Sequence, residues 1–185
     1  ISDNKDFTFK PQIFDSEIEM FQNEYRQVNK DSKHIVDFSL KEKDSNSKTH
    51  FFSNSLTKLN MDIFDISEIE LNLETTSDQD YLKTHNIKSE INNNQSLLKS
   101  FLTFRGSSRD LDLETKIEVY ENLTVDKSSD KYEYIFPSYK FSKRLPSNFN
   151  GNYEITSSGN YKNYNTNISE KILINDLKFS SNPKI

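Results

Sequence analysis

Between residues 109 and 123 the chain reads RDLDLETKIEVYENL. Leu111, Leu113, Thr115, Ile117 and Val119 take every second position, and Asp110, Asp112, Glu114, Lys116 and Glu118 fill the gaps. Successive side chains of an extended chain point to opposite faces, so the stretch predicts a strand with one apolar and one charged face. The same alternation recurs. Phe7, Phe9 and Ile13 oppose Thr8, Lys10 and Gln12. Ile18 to Val28 reads as a strand of mixed faces, and Val36, Phe38 and Leu40 oppose Asp37, Ser39 and Lys41. THFFSNSL, 49–56, reads as the returning strand, with the polar run KEKDSNSK as its turn. Ile69, Leu71, Leu73 and Thr75 oppose Glu68, Glu70, Asn72 and Glu74, and Leu98, Leu102 and Phe104 oppose Lys99, Thr103 and Arg105. KYEYIFPSYKFSK, GNYEITSSGNY and EKILINDLKFSS complete the series.

This pattern predicts an all-β, antiparallel meander of roughly nine to eleven strands, because only polar connectors, and no helical crossovers, lie between them. The segment 77–94 is the least regular and reads as a longer loop with a short helical turn. No break in composition divides the chain, so residues 1–185 read as one segment.

Alternation does not say what the apolar face touches. In a soluble sheet it faces a dry core; in a spanning barrel it faces lipid while the polar face lines a wet interior. Three features lean toward the barrel. Residues 110–119 match the roughly 9–11 residues that cross a bilayer at a tilt. Full charges crowd the polar face. Tyr120, Tyr132, Tyr134, Tyr139, Tyr153, Tyr161 and Tyr164 gather at strand ends and turns, where a ring in the apolar zone can keep its hydroxyl in water. The placement of Leu71, Leu73, Leu111 and Ile117 decides between the two: sealed together in a dry centre they mean a soluble protein.

Composition sharpens this only in part. Hydrophobic residues make up 32% of the chain, yet it holds 14 Phe and 9 Tyr, too many aromatics for disorder. The sequence contains no Ala, the best helix former, which argues against a helix bundle. With no Cys there is no disulfide and no thiolate metal site. His34, His50 and His85 lack metal-site spacing, although His34 and His50 could meet across a hairpin. Asp78 and Asp80 resemble half of a calcium loop but lack its Gly and distal Glu. Acidic pairs such as Glu70 and Glu74, or Asp110 and Asp112, read as a solvated face rather than acid/base machinery. Lys and Arg are dispersed among acids, which excludes a nucleic-acid stripe. No catalytic residue, metal site or cofactor is expected, and the chain is not read as an enzyme.

One stretch carries a family resemblance. IEVYENLTVDKSSDKYEYIFPSYKFSK, 117–143, resembles the LPS-assembly protein LptD, or organic solvent tolerance protein, of alphaproteobacterial type. The pattern rests on Tyr120 and Glu121, a polar turn, then Ser129, Asp130, Tyr132, Tyr134, Pro137 and Tyr139. Upstream, SDQDYL is similar to the family's stretch after a barrel strand; it supplies Ser77, Asp78, Asp80, Tyr81 and Leu82. DFTFKPQIF and FQNEYR resemble earlier strands, and the order of these words is shared from about residue 6 to 182. The resemblance implies a segment of a large antiparallel barrel in the bacterial outer membrane that inserts lipopolysaccharide into the outer leaflet. It further implies an LptE-like lipoprotein plug, an LptA-like periplasmic bridge and outer-membrane lipid as partners, and no covalent chemistry. Lys99, Arg105 and Lys116 are expected to neutralise Asp110, Asp112 and Glu114 across strands. Two unpaired sheet edges predict that the segment does not fold alone. The alternative is a soluble antiparallel β-sheet acting as a binding or structural module; a polysaccharide-active β enzyme is a third class.

Overall fold

The structure, a computed structural model, describes residues 3–14, 17–43, 46–125, 131–146, 151–164 and 168–181. Ten strands form one antiparallel sheet in which every strand pairs with its sequence neighbours: β1 (Lys5–Phe14), β2 (Glu17–Val28), β3 (Ser32–Lys43), β4 (Asn46–Leu59), β5 (Ile66–Thr76), β6 (Leu97–Ser107), β7 (Leu111–Asn122), β8 (Tyr132–Pro146), β9 (Gly151–Tyr164) and β10 (Ser169–Ser181). A single helical turn, α1 (Tyr81–Thr84), sits in the β5–β6 connection, where the sequence predicts an irregular loop. The all-β antiparallel meander is therefore as expected. The sheet is not closed: β1 and β10 are its two edges.

Two local expectations change. The run KEKDSNSK is not a broad turn. Lys41, Glu42 and Lys43 pair with Lys48, Ser47 and Asn46, so β3 and β4 extend through most of it. Backbone hydrogen bonding is indifferent to side-chain polarity, and a hairpin arm surrounded by water can carry charge on both faces. Asp110 lies in the turn before β7 rather than within the strand, since β7 begins at Leu111.

The two faces of the sheet differ in exposure. Asp37 is 0% exposed while its neighbour Phe38 is 39% exposed. Gln22, Glu24, Ser39, His50, Asn72 and Glu118 are buried on the polar face, whereas Phe9, Phe21, Phe51 and Leu102 are exposed on the other. Leu71, Leu73 and Ile117, which a dry core would hide, are 37%, 42% and 40% exposed; Leu111 is half-buried. The polar face is the concave one, because a single cavity draws its lining from all six strands β5–β10, Glu68, Arg105, Glu114, Lys140, Thr156 and Ile174 among them.

Strand register adds a steady stagger. The row Thr8–Glu24–Asp37–Phe52–Glu74 starts within β1 and reaches β5 two residues before its end. A consistent stagger of this kind is the shear that tilts strands in a curled sheet. The three glycines mark tight places on the apolar face. A Cβ at Gly106 would sit 2.7 Å from the Phe64 ring, one at Gly151 2.7 Å from Phe179, and one at Gly159 2.9 Å from Tyr139. Each is covered by an aromatic ring, which restores the apolar surface that glycine lacks.

Candidate functional site

The polar face divides into two regions. The first lies on β2–β6, beneath the connection 77–96. Tyr81 and Leu82 from α1, together with Ile87, pack on Met20, Phe52, Leu98 and Leu123, the one dry cluster among the described residues. Met20 and Phe52 are apolar residues on the polar face of β2 and β4, which is why the loop settles there: it removes them from water. Its polar atoms then complete a buried network. The Tyr81 hydroxyl is 2.7 Å from Ser39 Oγ, which is 2.5 Å from His50 Nδ1. His50 Nε2 is 3.1 Å from Asp37 Oδ1, and Gln22 Nε2 donates to the same carboxylate at 3.1 Å and to the Lys88 carbonyl, also at 3.1 Å. Register explains the grouping, since Gln22, Ser39 and His50 are consecutive partners across β2, β3 and β4. Burial pushes the Tyr81 phenol up from its usual value, and the Ser39 hydrogen bond offsets this only in part.

Ser39, His50 and Asp37 are hydrogen-bonded in the order of a nucleophilic triad. Here Ser39 and His50 are each 1% exposed, and the Tyr81 hydroxyl sits 2.7 Å from Ser39 Oγ, closing its open side. A substrate carbonyl would have to displace the loop, so the arrangement works as a latch holding 77–96 to the wall. Sequence reasoning missed it. The alternation does put Asp37 and Ser39 on one face, but nothing in sequence brings His50 and Tyr81 to them.

Further ties fix the loop. Glu74 is buried and accepts from Asn72 Nδ2 at 2.9 Å, Asn92 Nδ2 at 2.6 Å and the Lys99 amide at 2.9 Å. The expectation of a solvated Glu70/Glu74 face is thus corrected for Glu74, which the connection covers. Asp78 accepts from Lys48 Nζ at 2.8 Å and, through Oδ1, from the Asp80 amide at 3.0 Å. Those hydrogen bonds, the Lys48 one foremost, hold its carboxyl below the usual range. It is an Asx turn rather than a calcium loop. Ser77 Oγ accepts from the Thr49 amide at 2.8 Å.

The second region is an open trough on β5–β10, about 630 Å³ in volume. Its floor is held by Arg105, which reaches Glu68 at 3.0 Å, Glu70 at 3.1 Å and Glu114 at 3.2 Å. Ser107 donates to Asp112 at 2.5 Å. Lys99 and Lys116 both go to Glu118, at 3.2 and 2.9 Å, and not to the carboxylates expected of them. The reason is register: Lys99 opposes Tyr120, one step along the polar face from Glu118, and Lys116 lies on Glu118's own strand.

The thirteen motif positions separate accordingly. Ser77, Asp78, Asp80, Tyr81 and Leu82 form the wedge. Tyr120 turns to the polar face, donating to Glu118 at 3.0 Å, while Glu121 pairs with Lys131 at 2.7 Å. Tyr132 and Tyr134 stack beside Phe136 on the apolar face of β8. Pro137 follows a cis peptide bond at a register shift, and Tyr139 lies over Gly159 with its hydroxyl 3.0 Å from Ser157 Oγ. Ser129 and Asp130 lie outside the described residues. His34 and His50 do not meet: His34 bonds Ser55 at 3.0 Å on the opposite face. Among the described residues no group of His, Cys, Asp or Glu could hold a metal ion, and no helix is long and apolar enough to cross a membrane. No family model matches the chain, and no curated protein matches it.

Proposed function

We propose that the chain is a segment of an outer-membrane β-barrel of the LptD type, serving the insertion of lipopolysaccharide into the outer leaflet. One observation supports this most: the sheet turns its charged side chains to a concave face and exposes apolar side chains such as Phe9, Phe21, Phe38, Phe51, Leu71 and Leu102 on the convex one. Lipid satisfies such a face, whereas monomeric soluble proteins rarely leave contiguous apolar patches of more than roughly a few hundred Å² in water. The soluble-module alternative would need another layer over the entire convex face. The shared order of strand words supplies the particular family, and a wet, charged interior suits a phosphorylated sugar head whose acyl tails stay in lipid. The partners of this reading are lipopolysaccharide, a lipoprotein plug and a periplasmic bridge protein.

Depletion of the full-length protein in its own bacterium tests the reading, with surface lipopolysaccharide measured by a membrane-impermeant label. Loss of newly made lipopolysaccharide from the surface, with its accumulation on the inner side, is the expected result. Unchanged surface lipopolysaccharide overturns it.

A further inference from the structure

The charges around the trough are not equally committed. Arg105 is saturated by three carboxylates, and Asp112 is held by Ser107. Glu114 is the cross-strand partner of Lys140, yet its carboxylate turns to Arg105. Lys140 is exposed and is left without a counter-charge among the described residues, and Thr156 and Ser158 on β9 have no side-chain partner there. Ser158 is the register partner of Lys140, and Thr156 lies two residues along the same face. Among the described residues the trough thus presents one unpaired ammonium beside two unpaired hydroxyls, at the wall of a cavity of about 630 Å³. At the other end of the face, the wedge 77–96 fills the equivalent space with its own side chains.

We infer that Lys140, Thr156 and Ser158 form a subsite for a phosphate-bearing saccharide, the sugar hydroxyls meeting Thr156 and Ser158 and a phosphate meeting Lys140. The subsite rests on the proposed function, which makes the concave face a water-filled interior. A lysine ammonium is a compact point charge that binds phosphate without demanding a fixed geometry, as a passing ligand requires.

Because this chain contains no cysteine, Ser158→Cys in the full-length protein, with any cysteines elsewhere removed, gives a single reporter. Its labelling by a water-soluble maleimide is measured in detergent with phosphorylated core oligosaccharide, its dephosphorylated form, or inorganic phosphate. The phosphorylated sugar is expected to slow labelling. Adding Lys140→Gln is expected to weaken that protection about tenfold, the worth of one charge-assisted hydrogen bond. An unchanged unprotected rate in that variant shows that the fold is intact. Equal protection by the dephosphorylated sugar overturns the role of Lys140, and equal protection by inorganic phosphate overturns the sugar. Labelling without any protection overturns the subsite and leaves the barrel standing. A control at Leu71→Cys separates the two: if it labels from water while Ser158→Cys does not, the barrel reading itself has failed.

Discussion

The two ends of the concave face start from the same kind of strand and finish in opposite states. On β2–β6, Asp37, Ser39, His50 and Glu74 are sealed beneath a long connection. On β5–β10, Lys140, Thr156 and Ser158 line open space. Both sets take alternate positions along their strands, so alternation selected the face but not its fate. The difference lies in the β5–β6 connection, which is long enough to fold back and carries Tyr81, Leu82 and Ile87 to cover Met20 and Phe52. The trough strands are joined by shorter connections. Fixed wedge and open trough are thus two uses of one surface.

The largest test of this contrast removes the wedge's anchor. Tyr81→Ala is expected to destabilise the detergent-folded full-length protein by about 3–5 kcal/mol, as truncation of a fully buried ring does. Thr156→Ala in the trough should stay within about 0.5 kcal/mol. Urea unfolding midpoints measure both, and equal shifts would erase the distinction. Next comes the contrast between the two faces. Leu71→Arg on the convex face should cost about 2–4 kcal/mol when folding into lipid bilayers. Ser158→Arg on the concave face should cost little, and the same unfolding assay in liposomes reads the pair. A smaller effect is expected within the latch. His50→Ala leaves Asp37 and Ser39 short of a partner and should lose about 1–3 kcal/mol, together with faster hydrogen exchange across 77–96.

The smallest concerns pH. The Asp78 carboxyl is held low by Lys48, so its contribution is present above the unfolded value of about 3.9 and fades as pH falls through the lower folded value. Being partly exposed, the pair should be worth under about 1 kcal/mol. Lys48→Met should flatten that part of the stability profile below pH 4; an unaltered profile would remove Lys48 from the account.

Much of the fold was legible in residues such as Leu111, Leu113, Ile117 and Leu71, because a side-chain period of two leaves a strand no other use for them. The irregularity of 77–94 was equally plain. The site was less so. Tyr81 and Leu82 were singled out as words in a family pattern, and nothing local marked them as a core. Glu74 read as solvated because its alternation is that of its neighbours; only the loop above it makes it buried. The destination of Lys99 and Lys116 depended on register, and one residue of slip would have chosen other partners.

By itself, then, the chain determined roughly nine to eleven alternating ribbons with one apolar and one polar side, since that periodicity follows from backbone geometry alone. Tertiary structure decided that the polar side is concave, that one connection folds inward over Met20 and Phe52, and that Arg105 takes three carboxylates while Lys140 keeps none. Those outcomes depend on curvature, stagger and long-range contact, which no local period encodes.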